Sequence, residues 1–201
     1  MGPNAGRKNV NGNYNVFFGR GAGCNHICNQ GGGSNVFIGN NAGRCSKGDW
    51  GIAIGDGTLC TVTGDANIAI GRAAGRGSST YADNSGCFNI SFGHNAGINL
   101  SSGSCNIFIG NQAGVSTVTG SDNIVLGCCA AAHMTSGDGN IILGKGASSG
   151  AACDITGEYN VVMGYEAACN LTGGNDNILL GHHAEKKLSS GADNIATVSY
   201  T

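Results

Sequence analysis

The stretch Asn106-Ile-Phe-Ile-Gly110-Asn-Gln-Ala113-Gly-Val-Ser-Thr-Val-Thr-Gly120-Ser-Asp-Asn123-Ile-Val-Leu-Gly127 holds one full period of the chain and the opening of the next. An asparagine is followed by three apolar residues, a glycine, and then Ala-Gly. A second glycine stands three residues before the next asparagine. This frame occurs eleven times in 201 residues, starting at Asn15, Asn35, Gly51, Asn67, Asn89, Asn106, Asn123, Asn140, Asn160, Asn177 and Asn194. The steps are 20, 16, 16, 22, 17, 17, 17, 20, 17 and 17 residues, so the basic unit is 17.

The glycines keep the frame. Gly32, Gly64, Gly103, Gly120, Gly137 and Gly174 precede their starts by three residues, and Gly39, Gly71, Gly110, Gly127, Gly144 and Gly181 follow theirs by four. Glycine in such places supplies a positive φ or lets a neighbouring backbone come close. Two glycine corners around a short Val/Ile/Phe run describe a chain that winds. One aliphatic residue five or six positions before each later start (Val62, Leu100, Val118, Met134, Ile155, Leu171, Leu188) predicts a second short strand on the opposite wall. The extra residues of the long copies fall between the Ala-Gly corner and this position, as insertions into stacked repeats do. No 3.6-residue apolar stripe persists, and glycine interrupts every segment long enough for a helix. The pattern therefore predicts an all-β fold: a parallel β-solenoid of about eleven ~17-residue coils over residues 12–198, roughly 50 Å long. Residues 1–11 form a lead-in and 199–201 a tail.

Alternate residues of a strand face opposite ways. With the first and third residues of each run turned inward, the middle ones point out: Phe17, Phe37, Ala53, Ala69, Ser91, Phe108, Val125, Ile142, Val162 and Leu179. These form the expected oligomer interface, because a strand apolar on both faces is normally buried on both. A closed cyclic oligomer is the simplest arrangement.

Composition narrows the function. Glycine makes up 38 of the 201 residues and asparagine 24, while Asp, Glu, Lys and Arg together reach 11%. There is no Gly-X-Y period, and 40% of the chain is hydrophobic, which argues against collagen and disorder. A net charge of −2, with no basic run longer than Lys186-Lys187, argues against a nucleic-acid partner. No apolar run approaches the ~18 residues of a membrane span, so no membrane insertion is expected.

The unit Asn-Ile-x-Ile-Gly-x-x-Ala-Gly, followed by Thr/Ser-Gly-x-x-Asn, resembles the repeats of trimeric viral and phage tail fibres. It is also similar to the head repeats of trimeric autotransporter adhesins, and the similarity covers roughly residues 12–198. The resemblance implies a left-handed, trimeric, rigid and surface-exposed shaft or head used for attachment. A membrane anchor domain and a chaperone domain, which accompany such repeats, have no counterpart here. The chain is thus expected to be a fragment, or a subunit whose neighbours provide these parts.

Catalytic and metal motifs are absorbed by the repeat. Gly139-Asn-Ile-Ile-Leu-Gly144-Lys145 matches part of a phosphate-binding loop, but Gly146 stands where Ser or Thr should hold magnesium, and the intervening residues read as strand. Gly146-Ala-Ser148-Ser-Gly150 spells a nucleophile elbow with no helix after it. A hexapeptide acyltransferase would need three hexads per 18-residue coil, whereas one hexad per 17-residue coil fits here. Calcium-binding nonapeptide spacing is absent. Among His26, His94, His133, His182 and His183, only the adjacent pair His182-His183 deserves a check for metal, and neighbours in sequence rarely share an ion. No enzyme activity and no cofactor are expected.

The ten cysteines lack metal-finger spacing. Stacked coils would bring Cys24 near Cys45 and Cys87 near Cys105, candidate disulfides that would place the protein outside a reducing cell. The alternative is that cysteine fills tight corners as a small buried residue. Asn99-Leu-Ser and Asn170-Leu-Thr are candidate glycosylation sites in variable loops, whereas Asn89-Ile-Ser opens a buried strand. The expected function is a structural fibre shaft or head module on a virion surface or in the extracellular space, acting as a rigid spacer for attachment. Its partners are itself, as a homotrimer, and a cell-surface receptor or glycan. The alternative is a filament subunit joining end to end through uncapped solenoid ends.

Overall fold

The computed structural model describes residues 2–9, 12–25, 33–78, 84–149, 156–184 and 190–197. Gly32, His26, Cys28, Cys153, Ile155, Leu188 and the tail 199–201 lie outside them. Each repeat contributes one three-residue strand: β1 (Val16–Phe18), β2 (Val36–Ile38), β3 (Ile52–Ile54), β4 (Ile68–Ile70), β5 (Ile90–Phe92), β6 (Ile107–Ile109), β7 (Ile124–Leu126), β8 (Ile141–Leu143), β9 (Val161–Met163), β10 (Ile178–Leu180) and β11 (Ile195–Thr197). They form a single parallel sheet in sequence order, the topology of a β-solenoid, and no described residue is helical. Register is strict: Ile107, Phe108 and Ile109 lie opposite Ile124, Val125 and Leu126, and every pair of neighbouring strands repeats this match.

The opposite wall is not a second sheet. It is a stack of coil-to-coil backbone hydrogen bonds, such as Ser101 N to Val118 O (2.9 Å) and Val118 N to Thr135 O (3.0 Å). Val62, Leu100, Met134 and Leu171 turn inward from it, as the spacing predicts. Val118 is the exception: Thr117 takes the inward place in that coil, and Val118 faces out.

The expected direction of the strand side chains is reversed. Phe37, Ala53, Ala69, Ser91, Phe108, Val125, Ile142, Val162 and Leu179 are all buried, with Phe17 half-buried against Phe37, so the middle positions line the interior rather than an oligomer interface. The first and third residues of each run point out. The reason is the asparagine. It too faces inward, and a period of two then places the second residue after it inside and its flanking neighbours outside.

These asparagines form a ladder. Asn106 donates from its backbone N and from Nδ2 to Asn89 Oδ1 (2.9 and 3.0 Å), and its Nδ2 also donates to Gly120 O (2.8 Å) in the next coil. Asn123, Asn140, Asn160 and Asn177 continue the pattern, each almost fully buried. Every side-chain amide hydrogen and carbonyl lone pair of these five asparagines is thereby used, which is the condition for burying such a group at little cost. At the start of the ladder the buried Asn15 Nδ2 has no such partner among the described residues. At Gly51 the ladder is interrupted, and the Gly51 N–H donates to Asn35 Oδ1 (2.7 Å) in place of an asparagine.

Stacked glycines make the corners. The glycine after each of β1 to β10 has φ between +123° and +143°, and a Cβ on Gly110 would run into the carbonyl of Gly127 in the next coil. Gly110→Val should therefore destabilise the protein by about 3 kcal/mol or more, read as a lower midpoint in denaturant unfolding. The lead-in also belongs to the solenoid. Gly2-Pro-Asn-Ala5-Gly6 repeats the corner sequence, Gly6 N donates to Ala22 O (2.8 Å), and Gly21 N donates to Pro3 O (2.9 Å). The stacked structure thus extends below residue 12, because these residues satisfy the first coil's backbone as any other coil would.

Candidate functional site

Two columns of large apolar side chains run along the outer face of the sheet, one from the first and one from the third residue of each strand. Of the 22 positions in the eleven strands only Thr197 is polar. In the edge strand β1 Phe18 is 62% exposed, whereas Ile124 and Ile141, each between two strands, are 37% and 36% exposed. The lower values arise because neighbours ~4.8 Å away on adjacent strands shade one another. The strip is about 50 Å long and ~10 Å wide, roughly 500 Å², which puts it near the top of the range for the largest contiguous apolar patch on a monomer, a size that often marks an interaction surface.

One rim of this face is aromatic in several coils. Tyr14, Trp50, Phe88 and Tyr159 each precede the ladder position, are at least 60% exposed, and have φ of 55–59°. The left-handed conformation costs roughly 1–2 kcal/mol in such residues. Stacking accommodates them: Trp50, Phe88 and Tyr159 each follow a small residue one coil earlier (Ser34, Ala66 and Gly139), and a Cβ on Gly139 would meet the Tyr159 ring at 2.6 Å. Sequence reasoning missed this rim, although an aromatic side chain just outside a strand in four copies was its signal. The other rim, one residue past the corner glycine, is mostly polar and includes Arg20, Asp56, Arg72, Lys145 and His182.

The remaining predicted site residues are scattered. Cys24, Cys45, Cys87 and Cys105 are free thiols, so the expected bridges are not formed. Cys105 N donates to Cys87 O (3.0 Å), yet Cys87 Sγ is turned to accept from Asp65 N (3.2 Å) while Cys105 is exposed at a left-handed corner. The cysteine stacked beside Cys45 is Cys60, whose carbonyl accepts from Cys45 N at 2.7 Å. Cys128 and Cys129 bring their sulfurs within 3.5 Å, and burial followed by the contact with Cys128 raises the Cys129 pKa. His183 Nε2 lies 3.0 Å from Glu166 Oε2, and His182 stacks on Tyr165 at 5.0 Å. Tyr165 is raised in pKa by its hydrogen bond to Glu166. Among the described residues no three His, Cys, Asp or Glu side chains converge to hold a metal ion.

Asn99 and Asn170 are both exposed, and Asn99 Nδ2 donates to Val115 O (2.9 Å); Asn89 is a buried member of the ladder. Compared with known proteins, no family model, curated protein or solved structure matches the chain.

Proposed function

We propose that the protein is a structural module: a stiff rod that associates with copies of itself through the outer apolar face, as a homotrimer in a fibre shaft or adhesin-type head. Such a part works at a virion surface or outside the cell as a spacer for attachment. The observation that carries this reading is the pair of apolar columns, polar only at Thr197, on an eleven-stranded sheet. Water over that face is unfavourable by about 25 cal/mol for each Å² left uncovered. Two identical faces, or three around an axis, remove it together.

The rims also favour parallel rods. In a parallel cyclic assembly the aromatic rim of one subunit meets the polar rim of the next at the same height. Tyr14 then faces Arg20, Phe88 faces His94, and Asp176 faces His182, with no two like charges opposed at any described level. An Arg or His beside an aromatic ring and an Asp beside a His are favourable neighbours. A second arrangement, end-to-end growth, is favoured by β1 and β11, which among the described residues are each hydrogen-bonded to a strand on one side only.

Mass measurement by light scattering tests the reading directly. A discrete species of three times 20.0 kDa is expected, whereas end-to-end growth gives long polymers by negative-stain microscopy. A well-dispersed 20.0 kDa species at micromolar concentration overturns both.

A further inference from the structure

The wall opposite the apolar face carries an open groove of about 730 Å³, placed where the repeat is most disturbed. The 22-residue step from Asn67 to Asn89 lies beside it. Asn84, from that step, is fully buried and organises the floor. Its Oδ1 accepts from Ser78 N (2.7 Å), and its Nδ2 donates to Ser78 O (3.1 Å) and Thr61 Oγ1 (3.0 Å). Thr61 Oγ1 lies 3.0 Å from both Arg76 O and Ser78 O. These bonds hold the segment that carries Arg76 against the coil below it.

Two steps of 16 residues put Arg44, Cys60 and Arg76 in one column, so the two arginines stand two coils, ~10 Å, apart along the rod. Both are exposed, and neither has an ion-pair partner among the described residues. Cys60 supplies no counter-charge. Burial, with Cys45 adding, holds its thiol above the usual range despite the opposing pull of Arg76 and Arg44, which leaves it neutral. Among the described residues no acidic side chain lines the groove, and beyond the arginines it continues along Asn99, Ser116 and Thr135 with Ile98 and Val118 between them.

We propose that this groove binds a segment of an acidic polysaccharide, with two of its anionic groups on Arg44 and Arg76 and its uncharged edges on Asn99, Ser116, Thr135 and Val118. A single inorganic anion would engage the arginines alone and leave Asn99, Ser116, Thr135 and Val118 of the groove without a partner. A nucleic acid duplex needs a longer basic face than two residues provide. Guanidinium pairs well with either carboxylate or sulfate oxygens, while hydroxyl and amide groups alternating with small apolar patches suit a sugar chain's polar edges and its C–H faces. The site does not depend on self-association, and it lies on the wall that an assembly through the sheet face leaves open.

Titration calorimetry at low ionic strength, with heparin as the sulfated probe, polygalacturonate as the carboxylated one and dextran as the neutral one, decides the matter. The intact protein should bind at least one charged polymer, more weakly as salt is raised, and should not bind dextran. The R44A/R76A protein should bind at least tenfold more weakly with its melting temperature and solution mass unchanged. R7A/K8A, which removes the same charge from the exposed N-terminal turn, should bind as the intact protein does. Equal affinity for dextran, no binding to either charged polymer, undiminished binding by R44A/R76A, or an equal loss in R7A/K8A would each overturn the proposal.

Discussion

Asn123→Ala is expected to cost the fold about 3–5 kcal/mol. Asn123 Nδ2 donates to Asn106 Oδ1 (3.0 Å) and Gly137 O (2.8 Å). Its Oδ1 accepts from the backbone N and Nδ2 of Asn140 (2.9 and 3.1 Å). Alanine removes all four bonds and leaves Gly137 O and Asn140 N without these partners beside a fully buried position. Each buried polar group so orphaned costs roughly 1–3 kcal/mol. Asn123→Asp serves as the internal control. The carboxylate keeps the acceptors but loses both donors and faces Asn106 Oδ1, which raises its pKa above the unfolded value. The protonated form restores one donor, so this variant should regain stability as pH falls through the folded-state pKa and be weakest at neutral pH. Denaturant midpoints across pH 3–8 measure it. A loss below 1 kcal/mol for Asn123→Ala would show that the ladder is not a structural element.

The second large effect separates assembly from folding. Ile124 and Ile141 are opposite each other in β7 and β8 and point out of the sheet. Replacing both with glutamate puts two charges in the middle of the apolar strip, where a facing subunit would have to desolvate them. The expected outcome is a fall in solution mass from the assembly to 20.0 kDa, with little change in strand content by circular dichroism. Phe108→Ala should behave in the opposite way. Phe108 is fully buried within the coil, so its loss destabilises each subunit by about 3–5 kcal/mol through the cavity it leaves, while the outer face stays intact. If Ile124→Glu with Ile141→Glu keeps the mass of the intact protein, the sheet face is not the contact surface. Had the middle residues faced outward, as strand alternation read from Ile124 and Leu126 alone allows, the two variants would exchange phenotypes.

The amino-acid sequence determined by itself that this chain winds, how often, and in what register. A glycine that must tolerate positive φ or a neighbouring carbonyl is a local requirement, so Gly103, Gly110 and their equivalents mark every corner without knowledge of the rest. The column of Arg44, Cys60 and Arg76 was equally open to reading from two equal steps of 16, although what anchors its groove, the buried Asn84 in an irregular loop, was not. Only the tertiary structure decided which face of the strands is the inside. An apolar triplet satisfies either parity when both faces are apolar. The choice falls to the asparagine before it, whose amide finds its partners 14 to 22 residues away in neighbouring coils. Read singly, that asparagine looks like a turn residue. Stacked, its hydrogen bonds are complete only inside, and this draws Phe108 and its equivalents in and turns the isoleucines out.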